Sequence, residues 1–383
     1  MFDIDFIIPC YGSSELINRG LASLATQWKR EFIHVTLVND CSPNTDCGYQ
    51  DLVDRYSDSL DIRVVTTPKN GGQGLARQFG IDNTTHDWIM FMDEDDQIGS
   101  GIAISQFVGA VESYIYEIDE NNVYVLDKKG RRKLKKNQPN LALISGPLFE
   151  FDDNHVHVIE SHNQVWMNSK LYSRKFLDKH NIRFNKAQSR HAEDYFFMSC
   201  LFYCLDHDLE YCELLLDNDG LYYIWYPNEN SQSRIDEHYG FMLSGYTMNG
   251  SVNILKFMRN CKSIKKDDGT RQDYRAKSLN MCIYSYITFQ SFIAHVKETD
   301  YVPALELDWT LLRDSCRWLR DNLRKRYSDY SYIEVISEIV HVIEHSDVLY
   351  HEPWYRFDDY ILGDVPEFEW SLDDLLKVKE KDS

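Results

Sequence analysis

Trp88-Ile89-Met90-Phe91-Met92-Asp93-Glu94-Asp95-Asp96 is the stretch on which the fold turns. Five apolar residues end abruptly in four acids, the pattern of a buried strand whose C-terminal end opens into a crevice. Carboxylates crowded in this way repel one another, so a strand end tolerates them when water or a hard cation such as Mg2+ or Mn2+ neutralises them. A cation there could hold a diphosphate. Taken alone, the same acids suit a turn and a helix N-cap, and the residues upstream decide between the two.

Residues 3 to 92 alternate strand-like and helix-like segments. The apolar runs are Ile4 to Pro9, His34 to Asn39, Ile62 to Thr67 and Trp88 to Met92; helices are expected to open near Ser13, to span Gly48 to Tyr56 and to open at Gly72. This alternation predicts a parallel sheet with crossover helices. Downstream, Gly101 to Tyr116 reads as a helix and Val123 to Lys136 as a hairpin or loop with a basic tip. Ala142 to Ser145 and Val156 to Ile159 read as strands, a helix is expected at Ser169, and Glu193 to Cys204 reads as a helix leading into the strands Tyr211 to Leu216 and Leu221 to Tyr226. From about Gly240 apolar residues recur three and four apart, through segments near 241 to 262, 273 to 297, 308 to 326 and 330 to 345. The fold class is therefore α/β, a mixed, mostly parallel sheet flanked by helices, with a C-terminal mainly helical region; the expected division is 1–238 and 239–383. For the helical region, oligomerisation, bracing and acceptor binding stay open.

The 383 residues are 43% hydrophobic, enough for one large domain and a smaller one. With 41 basic against 61 acidic side chains the formal charge is -20, which argues against general nucleic-acid binding. Any anionic ligand must be held by local donors and metal. The dense basic run Lys128, Lys129, Arg131, Arg132, Lys133, Lys135 and Lys136 reads as a solvated surface, with contact to an anionic acceptor or a lipid surface as the alternative. Nine cysteines without paired CxxC spacing read as reduced thiols of a cytosolic protein, neither a disulfide frame nor a zinc site. No export signal is read at the N-terminus, and the apolar stretch 278 to 296 carries too many polar residues for a membrane span.

Because parallel strands end on one edge, Tyr11 after the first and Asp40 after the second can face one crevice, the aromatic covering a base and the acid accepting hydrogen bonds from a nucleotide. After the third strand, Lys69-Asn70-Gly71-Gly72-Gln73-Gly74 opens a helix, so backbone N–H groups can approach an anion, with Lys69 and Arg77 adding positive charge.

Ile7-Ile8-Pro9-x-Tyr11, Val38-Asn39-Asp40-x-Ser42, Asn70-x-Gly72 with Ala76-Arg77, and Asp93-x-Asp95-Asp96 together resemble the ordered motifs of family 2 glycosyltransferases with the GT-A fold, over roughly residues 1–235. The resemblance implies a nucleotide-sugar donor, frequently a UDP-sugar, lying near Pro9, Tyr11, Asp40, Asn70, Gly72 and Arg77. Asp95 would reach a bridging Mn2+ or Mg2+, and Asp93 would contact the ribose or the metal indirectly. Arg190-His191-Ala192-Glu193-Asp194 resembles the family's Glu-Asp pair, with Asp194 as general base for an acceptor hydroxyl and Glu193 orienting it. Direct attack of that hydroxyl opposite the diphosphate inverts the anomeric centre. Ser231 and Arg234 could close over the diphosphate, although relatives often carry Arg near the place of Trp225. His238 is a speculative further metal ligand, and His162 and Trp166 could line an acceptor pocket.

The leading expectation is an inverting, metal-dependent enzyme acting in the cytoplasm, or at the inner face of the membrane through peripheral contact. Its acceptor would be a hydroxyl of a glycan, a polyol-phosphate polymer or a lipid-linked saccharide. Two rivals stay open. A nucleotidyltransferase would call for a basic glycine-rich loop straight after the first strand, where this chain has Cys10-Tyr11-Gly12-Ser13-Ser14-Glu15. A catalytically silent copy would bind a glycan or stabilise a partner.

Overall fold

A computed structural model describes residues 2–12, 14–44, 47–121, 123–151, 156–161, 164, 166–184, 193–217, 220–226, 249–254, 256–258 and 260–264. The chain divides into two units, and the sheet belongs to the one made of Met1–Arg234 with Cys261–Lys265. Of the other unit, 249–254 and 256–258 are helical.

The first ninety residues run β1 (Ile4–Cys10), α1 (Ile17–Ala25), β2 (Ile33–Asn39), α2 (Tyr49–Tyr56), β3 (Asp61–Thr66), α3 (Gln73–Asp82) and β4 (Trp88–Phe91). β1 lies between β2 and β4, parallel to both, and β3 continues the parallel ladder beyond β2. Every residue of β1 is buried, as expected of a strand covered on both faces. Its Ile4, Phe6, Ile8 and Cys10 share a core with Ile17, Leu21 and Leu24 of α1 and Leu52 of α2. On the opposite face α3 approaches through Gly80, where an added Cβ would lie 2.3 Å from Cγ2 of Ile7 and 3.1 Å from Cγ2 of Val38. Gly80→Ala therefore overpacks the helix–sheet contact and is expected to cost about 1–3 kcal/mol in urea unfolding. An unchanged midpoint would show that the helix shifts freely.

Beyond the acids come β5 (Gln97–Ile98), α4 (Ala103–Ile115), β6 (Asn140–Ser145), β7 (Leu148–Phe151), β8 (Val156–Ile159), β9 (Lys170–Ser173), α5 (Arg174–His180), α6 (Glu193–His207), β10 (Tyr211–Leu215) and β11 (Tyr223–Trp225). The main sheet has the order β10-β6-β9-β4-β1-β2-β3, and β5-β11-β7-β8 form a second sheet. The helix expected at Ser169 starts five residues later. Ser169 is in the left-handed region (φ 61) and redirects the chain into β9, which inserts antiparallel between β4 and β6 before α5 begins at Arg174. An aromatic cluster of Phe91 (β4), Tyr172 (β9), Phe184 and Phe197 (α6) packs at that junction, with Phe184 stacked on Phe197 at 4.4 Å.

The basic stretch does form a paired excursion, through antiparallel bridges Tyr116–Leu134, Ile118–Tyr124 and Leu126–Arg132. Three of its cations are engaged locally. Arg131 pairs with Asp127 at 2.9 Å, Arg132 with Glu112 at 2.6 Å and Lys133 with Glu117 at 2.5 Å. Among the described residues, no helix is long and apolar enough to cross a membrane.

Candidate active site

The strand ends run in step. The Asp40 N–H donates to the Cys10 carbonyl at 2.9 Å, Thr67 N–H to the Asn39 carbonyl at 2.9 Å and Met92 N–H to the Ile7 carbonyl at 3.2 Å. One edge of the sheet thus presents Tyr11, Asp40 and Asp93 side by side, as the alternation of strands and helices predicts. The ring of Tyr11 is half exposed there. Pro9 is buried inside β1 opposite Val38, one layer below the edge.

Asp40 is buried and its carboxylate is committed to the glycine loop. It accepts hydrogen bonds from Gly71 N–H at 3.0 Å, Gly72 N–H at 2.7 Å and the Thr67 hydroxyl at 3.0 Å. These bonds lash the Asn70–Gly72 turn to the end of β2. Gly72, with φ 83 at the head of α3, supplies a backbone conformation that side chains disfavour. Ser42 ties down the neighbouring loop. Its hydroxyl donates to Asn39 Oδ1 at 2.6 Å and accepts from Gly12 N–H at 3.0 Å.

Arg77 is the hub. Its side chain is 5% exposed, and its guanidinium donates to Asp93 Oδ1 at 2.7 Å and to Glu193 Oε1 at 2.9 Å. One cation, set by α3, therefore joins the acid after β4 to the acid that opens α6, two residues far apart in sequence. Burial pulls the Arg77 pKa down, but the two carboxylates overcome that and raise it, so the side chain stays charged. The second oxygen of Asp93 accepts from Asn168 Nδ2 at 3.2 Å, which fixes the carboxylate in one orientation.

The four acids that look alike in sequence separate in space. Asp96 is buried; it accepts from the Tyr223 hydroxyl at 2.7 Å and from Tyr226 N–H at 3.1 Å. Burial, then Asp93 and Asp95, push its pKa well above the usual carboxylate range, and its two hydrogen bonds tie the end of β4 to β11. Glu94 accepts from Tyr11 N–H at 3.2 Å and is pushed up to about 7, first by burial and further by Asp95 and Asp93. Asp93 and Asp95 remain partly exposed at the mouth. Arg19 of α1 donates to the Asp95 carbonyl and lies 3.6 Å over the Tyr226 ring. Carboxylate oxygens clustered in this way suit a hard divalent cation better than a soft one.

At the head of α6, Glu193 is buried and Asp194 partly buried. Glu193 is pushed up to about 7 because burial outweighs Arg77, with Asp194 adding to the rise. Asp194 is raised as well, chiefly by burial, against the opposing Tyr195 N–H and Arg77, while Asp93 raises it further. The pair therefore senses the acids after β4. Trp166 and Trp225 stand together with ring centroids 5.7 Å apart, beside β11. His162, Ser231, Arg234 and His238 lie outside the described residues.

Asn168, Tyr223 and Arg19 escaped the sequence reading. Each reaches the acids from a distant stretch, and only Tyr223, inside an aromatic run that ends a strand, carried a local signal.

The family model "Glycosyl transferase family 2" matches residues 5–184. The succinoglycan biosynthesis protein ExoO of Rhizobium meliloti (strain 1021) is 26% identical over 203 residues, which are 53% of this chain and 56% of that protein. Poly(ribitol-phosphate) beta-N-acetylglucosaminyltransferase TarS of Staphylococcus aureus (strain Mu50) is 36% identical over 101 residues, 26% of this chain and 17% of TarS. The chain thus spans little more than half of one relative and a minor part of the other. The crystal structure of S. aureus TarS 1-349 in complex with UDP-GlcNAc shares the fold, with a TM-score of 0.53 at 15% identity over 83% of this chain and 81% of that one. The strand-end motifs and the sheet that aligns them lie within residues 5–184, the stretch that matches the glycosyl transferase family 2 model.

Proposed function

We propose that the chain is an inverting, metal-dependent glycosyltransferase that moves a sugar from a UDP-sugar to a hydroxyl of a glycan, a polyol-phosphate polymer or a lipid-linked saccharide. The setting is synthesis of bacterial cell-surface polysaccharide on the cytoplasmic side. The observation that carries this reading is Arg77, which holds Asp93 and Glu193 in one crevice at 2.7 and 2.9 Å. Names of the relatives support the acceptor class, since ExoO is named for succinoglycan biosynthesis and TarS for transfer to poly(ribitol-phosphate).

In this reading Asp95 and Asp93 hold Mn2+ or Mg2+, which when bound offsets negative charge developing on the departing diphosphate. Tyr11 covers the base at the mouth of the crevice, and the Asp40-tethered glycine loop presents backbone N–H groups at the head of α3. Asp194 takes the proton from the acceptor hydroxyl as it attacks the anomeric carbon opposite the leaving group. Glu193, fixed by Arg77, keeps that carboxylate in position. Trp166 and Trp225 offer an aromatic surface on which an acceptor sugar stacks. Ser231 and Arg234 close over the diphosphate, and residues 239–383 bind the acceptor or a second copy.

The test is release of UDP from a panel of UDP-sugars by the purified full chain with Mn2+, stopped by EDTA and restored by Mn2+ alone. A silent homologue would bind a donor without releasing nucleotide. A pH profile gives a second check. The base acts ionised, so activity is kept above the pKa of the Glu193–Asp194 pair and lost below it. Because burial raises both carboxylates, the acid limb of kcat/KM is expected above the ordinary carboxylate range, with the rate falling as pH drops through it. An acid limb at ordinary carboxylate values, about 4, would contradict the assignment.

A further inference from the structure

We propose that His180, Cys204 and Cys261 bind one Zn2+ at a structural site on the sheet-bearing unit, apart from the acidic crevice. One ligand atom from each lies within 4.8 Å of the other two. His180 ends α5, Cys204 stands on α6, and Cys261 comes from the distant stretch Cys261–Lys265 of the same unit. His180 and Cys204 are buried.

The distances favour a shared ion. At a tetrahedral zinc, with Zn–S about 2.3 Å and Zn–N about 2.0–2.1 Å, two sulfurs stand about 3.8 Å apart and sulfur and nitrogen about 3.6 Å. The Sγ atoms of Cys204 and Cys261 are 4.0 Å apart, within a few tenths of an ångström of that separation. A disulfide would need about 2.05 Å, a far larger shift.

The histidine is oriented for the task. Its Nε2 faces Asp208 Oδ2 at 2.9 Å, and its Nδ1 faces the Ser263 hydroxyl at 2.7 Å. With the Nε2 proton donated to the carboxylate, the Nδ1 lone pair points into the cluster, the carboxylate–histidine arrangement typical of metal sites. Lys179 Nζ meets the same Asp208 oxygen at 2.7 Å. The Ser263 hydroxyl also stands 3.2 Å from Cys261 Sγ, so it touches two of the three ligands. Cys200 lies buried one helical turn before Cys204 on the same face of α6, and serving as a fourth ligand would require its side chain to turn. Thiolate and imidazole ligands select zinc over the Mn2+ or Mg2+ suited to the crevice, so the two sites take different ions. The pattern is invisible in sequence because its members share no short spacing.

The experiment is metal content by plasma mass spectrometry on the full chain, expressed with added zinc and purified without chelators or immobilised metal. Co2+ loaded in place of Zn2+ provides the spectroscopic arm. One zinc per chain and a thiolate-to-cobalt charge-transfer band are expected. Cys261→Ser, at a partly exposed position, should lose the zinc and the band. Asp208→Asn should keep the fold and weaken zinc affinity about 10–100-fold, as loss of a histidine-orienting carboxylate does elsewhere. A wild-type chain free of zinc and without the cobalt band, a Cys261→Ser variant that retains its zinc, or a Cys204–Cys261 disulfide in freshly purified protein would each overturn the proposal. None of these outcomes depends on the transferase reading.

Discussion

Asp194→Asn should reduce transfer by about 10²–10⁴-fold, the usual contribution of a positioned general base, while leaving donor affinity unchanged. Asparagine keeps the size of the side chain and can still meet the Tyr195 N–H, which donates to Asp194 at 2.7 Å, so the head of α6 is preserved. It cannot take a proton. The loss should therefore fall on kcat, with UDP titrating as in the wild type. Normal transfer by Asp194→Asn would remove the base from this residue. Glu193→Gln provides the contrast, because Glu193 is bonded to Arg77 and acts by positioning. It should lower kcat less than Asp194→Asn while loosening the crevice.

Arg77→Met should destabilise the protein by about 3–5 kcal/mol, because it leaves two carboxylates in the interior without their cation. Glu193 is 4% exposed and Asp93 27%, so the larger part of this cost sits on Glu193. The deficit should depend on pH. Without Arg77, buried Glu193 binds a proton at higher pH than in the wild type, where its pKa is about 7, so the variant lies furthest below the wild type at alkaline pH and recovers as pH falls towards 7. Arg77→Lys keeps a charge but not a planar fork able to reach two acids at once, and should sit between the two. Urea unfolding across pH checks all three. A pH-independent deficit would mean that Arg77 acts through packing alone.

The parallel half of the fold was legible because each of its strands announces itself. β1, β2, β3 and β4 are apolar runs bounded by turn residues, and α1, α2 and α3 lie between them. The antiparallel half was less so. β9 and β7 are four residues each, β5 is two, and none has room for a period to show. Their pairing is settled by tertiary contacts such as Tyr172 against Phe91 and Phe197.

The candidate site divides in the same way. Asp93, Asp95 and Asp194 could be named from sequence because carboxylates at strand and helix ends are conspicuous. What each carboxylate touches could not. Asp96 and Asp95 are adjacent and chemically alike, yet Asp96 is buried under Tyr223 while Asp95 stays at the mouth. Arg77 and Asp40 were expected beside a nucleotide. In the structure Arg77 also meets Asp93 and Glu193, and Asp40 meets Gly71 and Gly72. No local pattern encodes a bond between residues 77 and 193.

In the proposed function the carboxylates after β4 grip a divalent cation that secures a nucleoside diphosphate. Isothermal titration of UDP into the wild type and Asp95→Ala, each with Mn2+ and with EDTA, tests it most directly. Mn2+ should strengthen UDP binding to the wild type by about tenfold or more, roughly 1.4 kcal/mol, and this gain should vanish in Asp95→Ala. Equal UDP affinity with Mn2+ and with EDTA in an active wild-type protein would contradict the account.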